Sequence, residues 1–410
     1  MKVCMISSTY PRYEGDVIPS FVHELARKIA EWGIEVHAVS PHHEAAKCEE
    51  NLEGVFVHRF RYMIPSRLET LTTGGGMPTK IQKSLVAKVE MLPYLLSSFL
   101  KSLRICSKYR IDVVHAHWFF PSGLVGVLLK KLLHKPLVVT GMGVEFFLTR
   151  QKYKWLAFLW RWIAKNADEC VFNSNASKDA AEGIGIRKSI VIPYGVDVNR
   201  FAPRKARSQL VEGTRRKYGV ENKVIILAVG RLVERKGFKY LVQAMPHILK
   251  RISAVLVIVG AGPEKASLTK LVGELGLDDH VRVVGSVAPS DLPLLYNACD
   301  VFVLPAVTDA SGDQEGFGLV LCEAMSCGKP VIGTRVGGIV DVISEGQDGI
   351  LVEEKSVEQL SEAVVRVAGD HKLAMSLGEN ARVSAVKKFS CERAAREYVA
   401  LYAFLLRKQK

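Results

Sequence analysis

No run of about eighteen apolar residues occurs in this sequence, so no membrane-crossing helix is expected. The best stretch, residues 91–100, contains Pro93 and is bounded by Glu90 and Lys101. The first six residues pass straight into a short apolar strand, without the longer hydrophobic region of a secretory leader. Disulfide and metal frameworks are missing too. The eight cysteines stand far apart, with no CxxC, and only Cys322 and Cys327 are near neighbours. Reduced cytosolic thiols are the simplest expectation. There is no charged tail: of the net charge of +14, residues up to Val198 supply 26 basic and 18 acidic side chains, and the rest supply 30 and 24. A spread excess argues against a nucleic-acid-binding arm and leaves anionic small substrates, an acidic membrane surface or a merely basic soluble surface. No short-period repeat is visible.

What is present is a rhythm. At 410 residues, 48% hydrophobic and 24% charged, the chain is a globular protein too long for one core. Short, β-branched apolar segments at 2–7, 33–40, 55–59, 112–117, 136–140, 169–173 and 189–193 alternate with helical patterns, the first at 20–32. Such strands belong to a parallel sheet covered on both faces. The Gly/Pro-punctuated stretch 193–203 breaks the rhythm as a linker would. It restarts with strands at 223–230, 254–260, 280–285, 300–305 and 330–334. The expected fold class is α/β: two Rossmann-like, doubly wound parallel-sheet domains facing each other across a cleft, with ligands at the strands' carboxyl ends. The expected boundaries are 1–198 and 199–390, with a final apolar-faced helix at 391–406 that must pack on something.

The chemistry concentrates at 313–330. Glu315 and Glu323 flank the start of a helix expected over 317–325, and Gly316 and Gly318 let backbone N–H groups approach a ligand. A carboxylate in a phosphate loop would repel the anion, so Glu315 is expected to face something neutral, such as sugar hydroxyls. Arg231 follows a strand at once, and Lys236-Gly237 opens the next helix. Two cations beside a helix N-terminus suit a pyrophosphate, although two exposed charges on a loop would read the same way. Gly260-Ala261-Gly262 lacks the third glycine of a dinucleotide fingerprint and reads as a tight turn, while Gly337-Gly338 lets backbone approach the same face. His115 and His117 point to one face of a strand, with no metal-ligand partner at recognisable spacing. Residues 150–165 carry five basic side chains and no acidic one among aromatics. Read as one helix, they suit either an interfacial membrane helix or a buried one. The basic, apolar stretch 80–110 adds to the membrane reading.

Together these segments resemble family-four retaining glycosyltransferases of the GT-B fold. The run from Asp313 to Met325 is similar to the family's E-x7-E element. It is joined in the family's order by the motifs around His117, Asp197, Arg231–Lys236 and Gly260–Glu264. The resemblance implies transfer of a sugar from a nucleotide-sugar to a saccharide or lipid-linked acceptor, in glycan or glycolipid biosynthesis, with no metal cofactor. Peripheral contact with an anionic membrane, at the inner face of the cell membrane, would suit such an acceptor, and no nucleic-acid partner is implied. Carried over by residue, Arg231 and Lys236 would hold the diphosphate and Glu323 the ribose. Glu315 would contact the donor sugar, and the backbone of Gly316, Phe317, Gly318 and Leu319 would contact sugar or phosphate. Arg231, Lys236 and Glu315 would carry the catalysis, the base would lie near 285–289, and the final helix would return to the first domain.

Two places depart from the family: the glycine-rich first loop is reduced to Glu14-Gly15-Asp16, and a basic position is lost. Met142 stands where a His or Arg is usual, and a thioether cannot carry a proton or charge. The acceptor-side candidates are then Gly15, Asp16, His117 and Glu145. A nucleotide-sugar epimerase, or a binder without catalysis, are the alternatives.

Overall fold

The structure is a computed structural model that describes residues 1–13, 16, 21–72, 77, 84–151, 153–204, 208–220 and 223–409. Gly15 lies outside the described residues. The chain forms two compact units. The first comprises 1–173, 178–192 and 394–410, and the second comprises 174–177 and 193–393.

The first unit is built on an eight-stranded sheet in the order β3-β4-β2-β1-β5-β6-β7-β8. The strands are β1 (Lys2–Ile6), β2 (Glu35–Pro41), β3 (Glu49–Leu52), β4 (Val55–Phe60), β5 (Val113–His117), β6 (Leu137–Gly141), β7 (Glu169–Phe172) and β8 (Ile190–Val191). Every pairing is parallel except that of β3 with β4. The central strands β1, β5 and β6 are buried along nearly their whole length, as apolar strands covered on both faces must be. Helices α1 (Phe21–Glu31), α2 (Leu85–Tyr109), α3 (Leu124–Leu133), α4 (Val144–Gln151), α5 (Ala157–Asn166) and α6 (Asn175–Glu182) connect them. The single helix expected over 150–165 is instead the end of α4, a 3-10 turn at Lys154–Leu156 and α5. Along 150–165 Trp160 and Ile163 enter the core, whereas Trp155 and Phe158 are 75% and 71% exposed.

The second unit is a six-stranded, wholly parallel sheet in the order β11-β10-β9-β12-β13-β14. Its strands are β9 (Val224–Val229), β10 (Ala254–Val259), β11 (Val281–Gly285), β12 (Val301–Leu304), β13 (Val331–Thr334) and β14 (Ile350–Val352). Helices α7 (Gln209–Lys217), α8 (Phe238–Leu249), α9 (Lys265–Glu274), α10 (Leu292–Ala298), α11 (Leu319–Ser326), α12 (Ile339–Val342), α13 (Val357–Gly369) and α14 (His371–Lys388) complete it. Apolar clusters on the two sides of this sheet form the core.

The last helix, α15 (Cys391–Gln409), belongs from Ala394 onward to the first unit. Its apolar side buries Tyr398 and Tyr402 completely. There His115 Nδ1 and Nε2 stand 2.7 Å from Tyr402 Oη and from Thr140 Oγ1, and Thr140 Oγ1 lies 3.1 Å from Tyr398 Oη. The histidine thus ties the end of the chain to β5 and β6. All eight cysteines are free thiols.

Candidate active site

The β9 strand ends at Val229, and the loop that follows carries Arg231, Arg235 and Lys236, the last two on a 3-10 turn, Glu234–Lys236. Gly237 closes that turn in the left-handed region, at φ 64°, and opens α8. A side chain there would bring its Cβ to 1.9 Å from Pro305 O, so only glycine lets the cationic loop lie against the end of β12. The loop is also fastened from β10: the Leu232 N–H donates to Ala261 O at 2.9 Å, and the Glu264 N–H to Leu232 O at 3.0 Å. The Gly260–Gly262 turn is therefore a support for the Arg231 loop.

Lys236 is buried, and its ammonium donates to Glu315 Oε2 at 2.6 Å. The same oxygen receives Arg235 Nη1 at 3.2 Å, while Arg235 Nε lies 3.3 Å from Asp313 Oδ2. Burial pushes the Glu315 carboxyl up, but Lys236, Arg235 and a backbone N–H of Phe317 outweigh it and hold it at about 2. Burial lowers Lys236, and Glu315 holds it back up. Asp313 is pushed up to about 6, chiefly by burial. Arg231 is lowered by burial first and then by neighbouring Arg235. The expectation that Glu315 faces a neutral group is thus corrected: one of its oxygens faces two cations. Their charge offsets the cost of burying this carboxylate.

The helix after Glu315 begins two residues later than expected. Gly318 sits at φ 92°, and α11 starts at Leu319, with no side-chain cap on its first N–H groups. Those donors belong to Leu319 and Val320, since the Leu321 N–H is bonded back to Gly318 O. Phe317 is buried against Phe389, with ring centroids 5.7 Å apart, and its backbone N–H is turned to Glu315. Gly337-Gly338 fixes this loop from β13. The Gly338 N–H donates to Glu315 O at 2.9 Å, and a Cβ on Gly337, at φ 54°, would stand 2.1 Å from the same carbonyl.

Glu323 lies about one turn inside α11, half-buried, and accepts from Tyr296 Oη at 2.6 Å. Burial pushes its carboxyl up to about 7, with the Tyr296 hydrogen bond and then Arg200 acting the other way. Arg200 Nη2 also donates to Pro289 O at 2.8 Å, at the end of the 285–289 loop. Arg231, Lys236, Glu315, Gly316–Leu319 and Glu323 all belong to the second unit. Arg235 and Tyr296 went unnoticed in the sequence. The sequence showed that the closely spaced carboxylates Asp313 and Glu315 need counter-charge, but not which cation supplies it.

In the first unit the candidates follow the carboxyl ends of three neighbouring strands, β1, β5 and β6. Asp16 is buried and held by Arg12 through contacts of 2.6 and 2.7 Å. His117 is buried with its ring centroid 4.0 Å from that of His115, and burial pushes its pKa down to about 3. Glu145 accepts the Met142 N–H at 3.3 Å and lies 3.5 Å from the Phe119 nitrogen. Met142 thus presents its backbone to Glu145. Trp118, not singled out from the sequence, is half-exposed with a positive φ of 69° at ψ 139°, a backbone conformation uncommon for a bulky residue and found at ligand sites.

Residues 211–384 match the family described as glycosyl transferases group 1, and residues 18–200 match glycosyltransferase family 4. A GDP-mannose-dependent alpha-(1-6)-phosphatidylinositol monomannoside mannosyltransferase of Mycobacterium tuberculosis is 36% identical over 227 residues, 54% of this chain and 58% of that protein. The match therefore spans less than two thirds of that relative. A protein of the same name from Mycolicibacterium smegmatis is 30% identical over 283 residues, covering 67% of this chain and 72% of that one. Among solved structures, sucrose-phosphate synthase from Thermosynechococcus elongatus superposes with a TM-score of 0.81 at 23% identity, covering 99% of each chain. Anabaena HepE in complex with UDP gives 0.78 at 20% identity, over 98% of this chain and 100% of that one. At such identities the structural likeness shows the fold alone, and that fold is GT-B. The chain belongs to the group 1 glycosyltransferases.

Proposed function

We propose that this chain moves a sugar, with retention of configuration, from a nucleoside-diphosphate sugar to a saccharide or lipid-linked acceptor in glycan or glycolipid biosynthesis. The observation that carries the reading is the grouping in the second unit: a cationic loop, Arg231–Lys236, joined through Lys236 and Arg235 to Glu315, just before the uncapped start of α11. Breaking a glycosyl–phosphate bond leaves negative charge on the departing diphosphate. Fixed cations and helix N–H groups would stabilise that charge where it develops. The same cations would neutralise the leaving group without a metal.

The state of Glu315 favours one route to retention. A carboxylate nucleophile must give electron density to the reacting carbon, whereas Lys236 and Arg235 both bind Glu315 Oε2 and hold the carboxyl at about 2, which makes it a weak nucleophile. We therefore assign Glu315 to positioning the cations and the donor sugar, with the leaving phosphate taking the acceptor proton on the same face. Glu323, beside Tyr296, would accept the ribose hydroxyls. Asp16, His117 and Glu145 are the acceptor-side set in this reading, and the names of the mycobacterial relatives make a polyol-bearing lipid acceptor a natural first choice.

The test incubates purified protein with UDP-, GDP- and ADP-sugars, with and without saccharide and lipid-linked acceptors. Nucleotide release that depends on an acceptor is expected. Donor rearrangement without acceptor would show an epimerase, and binding without turnover of any donor would show a binder.

A further inference from the structure

We infer that the outer surface of α2, α3 and α5 is a docking face for an anionic lipid bilayer. Along α2 the side chains Val86, Val89, Leu92, Leu96 and Leu100 recur every three or four residues and are 53–74% exposed. On a soluble helix that stripe would face the core. Here the core side is filled by others, among them Ala87, Tyr94 and Ile105. Helix α3 packs on α2, and α5 packs on α3. Leu128 and Leu132 of α3 are 41% and 55% exposed. Phe158 of α5 and Trp155 just before it extend the apolar surface. An exposed apolar surface running over three adjacent helices is more than scattered surface leucines.

The charges of the same helices choose the occupant. Residues 85–109, 124–133 and 154–166 contain one carboxylate, Glu90, and it is fully buried, accepting from the Thr70 and Leu71 N–H groups. The cations stand at the margins of the stripe: Lys88 and Arg104 at the two ends on α2, and Lys131 on α3, 5.0 Å from the Trp162 ring centroid. Lys101 and Lys130 are paired with Glu49 and Asp168 at 2.8 and 2.7 Å. Among the described residues Lys88, Arg104 and Lys131 have no carboxylate partner.

A second copy of this chain is a poor occupant. A two-fold interface is self-complementary, so it would bring cations of one sign against their own kind. Protein interfaces also deplete lysine at their centres. An interface of lipid tails and anionic headgroups accepts leucine, tryptophan and lysine together. No helix among the described residues is long and apolar enough to cross a membrane, so the contact is with one leaflet. The docking face does not depend on the transfer reading, since lipid binding can be measured with no sugar donor present.

The experiment is co-sedimentation of the full chain with phosphatidylcholine vesicles, with and without phosphatidylglycerol. Binding is expected to anionic vesicles only and to weaken with salt. Leu92→Glu/Leu96→Glu and Lys88→Glu/Arg104→Glu should each lower partitioning about tenfold or more, at unchanged unfolding midpoints because all four side chains are exposed. Absence of binding to anionic vesicles, or binding that neither double variant weakens, would overturn the proposal. So would a dimer, seen by light scattering, that Leu92→Glu/Leu96→Glu dissociates.

Discussion

Replacing Lys236 with Met removes the closer of two cations from a buried carboxylate. Glu315 titrates at about 2 where an ordinary glutamate titrates near 4.5. That displacement corresponds to ~3 kcal/mol favouring its ionised form in the folded chain. The Lys236 contact, at 2.6 Å against 3.2 Å for Arg235, is its largest favourable contribution. Lys236→Met should therefore cost about 2–4 kcal/mol, because Arg235 remains to hold part of the charge. The pH dependence follows with a definite sign. A carboxylate lowered on folding adds stability that is full above pH 4.5 and is lost as pH falls toward 2. In Lys236→Met that acid-sensitive part should shrink. Urea unfolding at neutral and acid pH measures both effects. The double variant Lys236→Met/Glu315→Gln should be more stable than the sum of the single losses by about 1–3 kcal/mol, since it leaves no buried charge unpaired. Additive losses, or a Lys236→Met protein as stable as the parent at neutral pH, would refute the coupling.

Glu323 has the opposite sign. Its carboxyl is raised to about 7, so without ligand the chain should lose stability as pH rises from 4.5 through 7 and level off above. If ribose hydroxyls bind its carboxylate, nucleotide binding near pH 6.5 should release a proton, visible as buffer-dependent binding heats and absent in Glu323→Gln. Tyr402→Phe removes the partner of His115 Nδ1 and should cost about 1–3 kcal/mol in thermal or urea unfolding, without changing nucleotide affinity. A chelator added to the transfer assay should leave the rate unchanged if Arg231 and Lys236 alone neutralise the leaving group.

The parallel sheets were legible because their strands are short, apolar and β-branched, and because helices separate them. Two strands were not. β3 reads Glu-Glu-Asn-Leu, a polar edge segment that pairs antiparallel with β4, and β14 is a three-residue edge strand. The break between α4 and α5 was invisible for another reason: no glycine or proline stands between Arg150 and Ala157, so a continuous helical wheel looked sound. At the site, motif spacing singled out Arg231, Lys236, Glu315 and Glu323. Arg235 was missed because its partners lie some eighty residues on, and only the fold of β9 against β12 brings them within reach. The same limit hid the role of His115. Its neighbours Tyr398 and Tyr402 lie at the far end of the chain, and in sequence alone it was only one of two histidines on one face of a strand.

The central claim is that the loop after β9 holds the diphosphate of the donor. Titration calorimetry of UDP, GDP and ADP against the parent, Arg231→Ala and Lys236→Ala tests it most directly. Each substitution should weaken the nucleotide that binds by roughly 1–3 kcal/mol, the worth of a charge-assisted hydrogen bond. Parent-like affinity in both variants would contradict it.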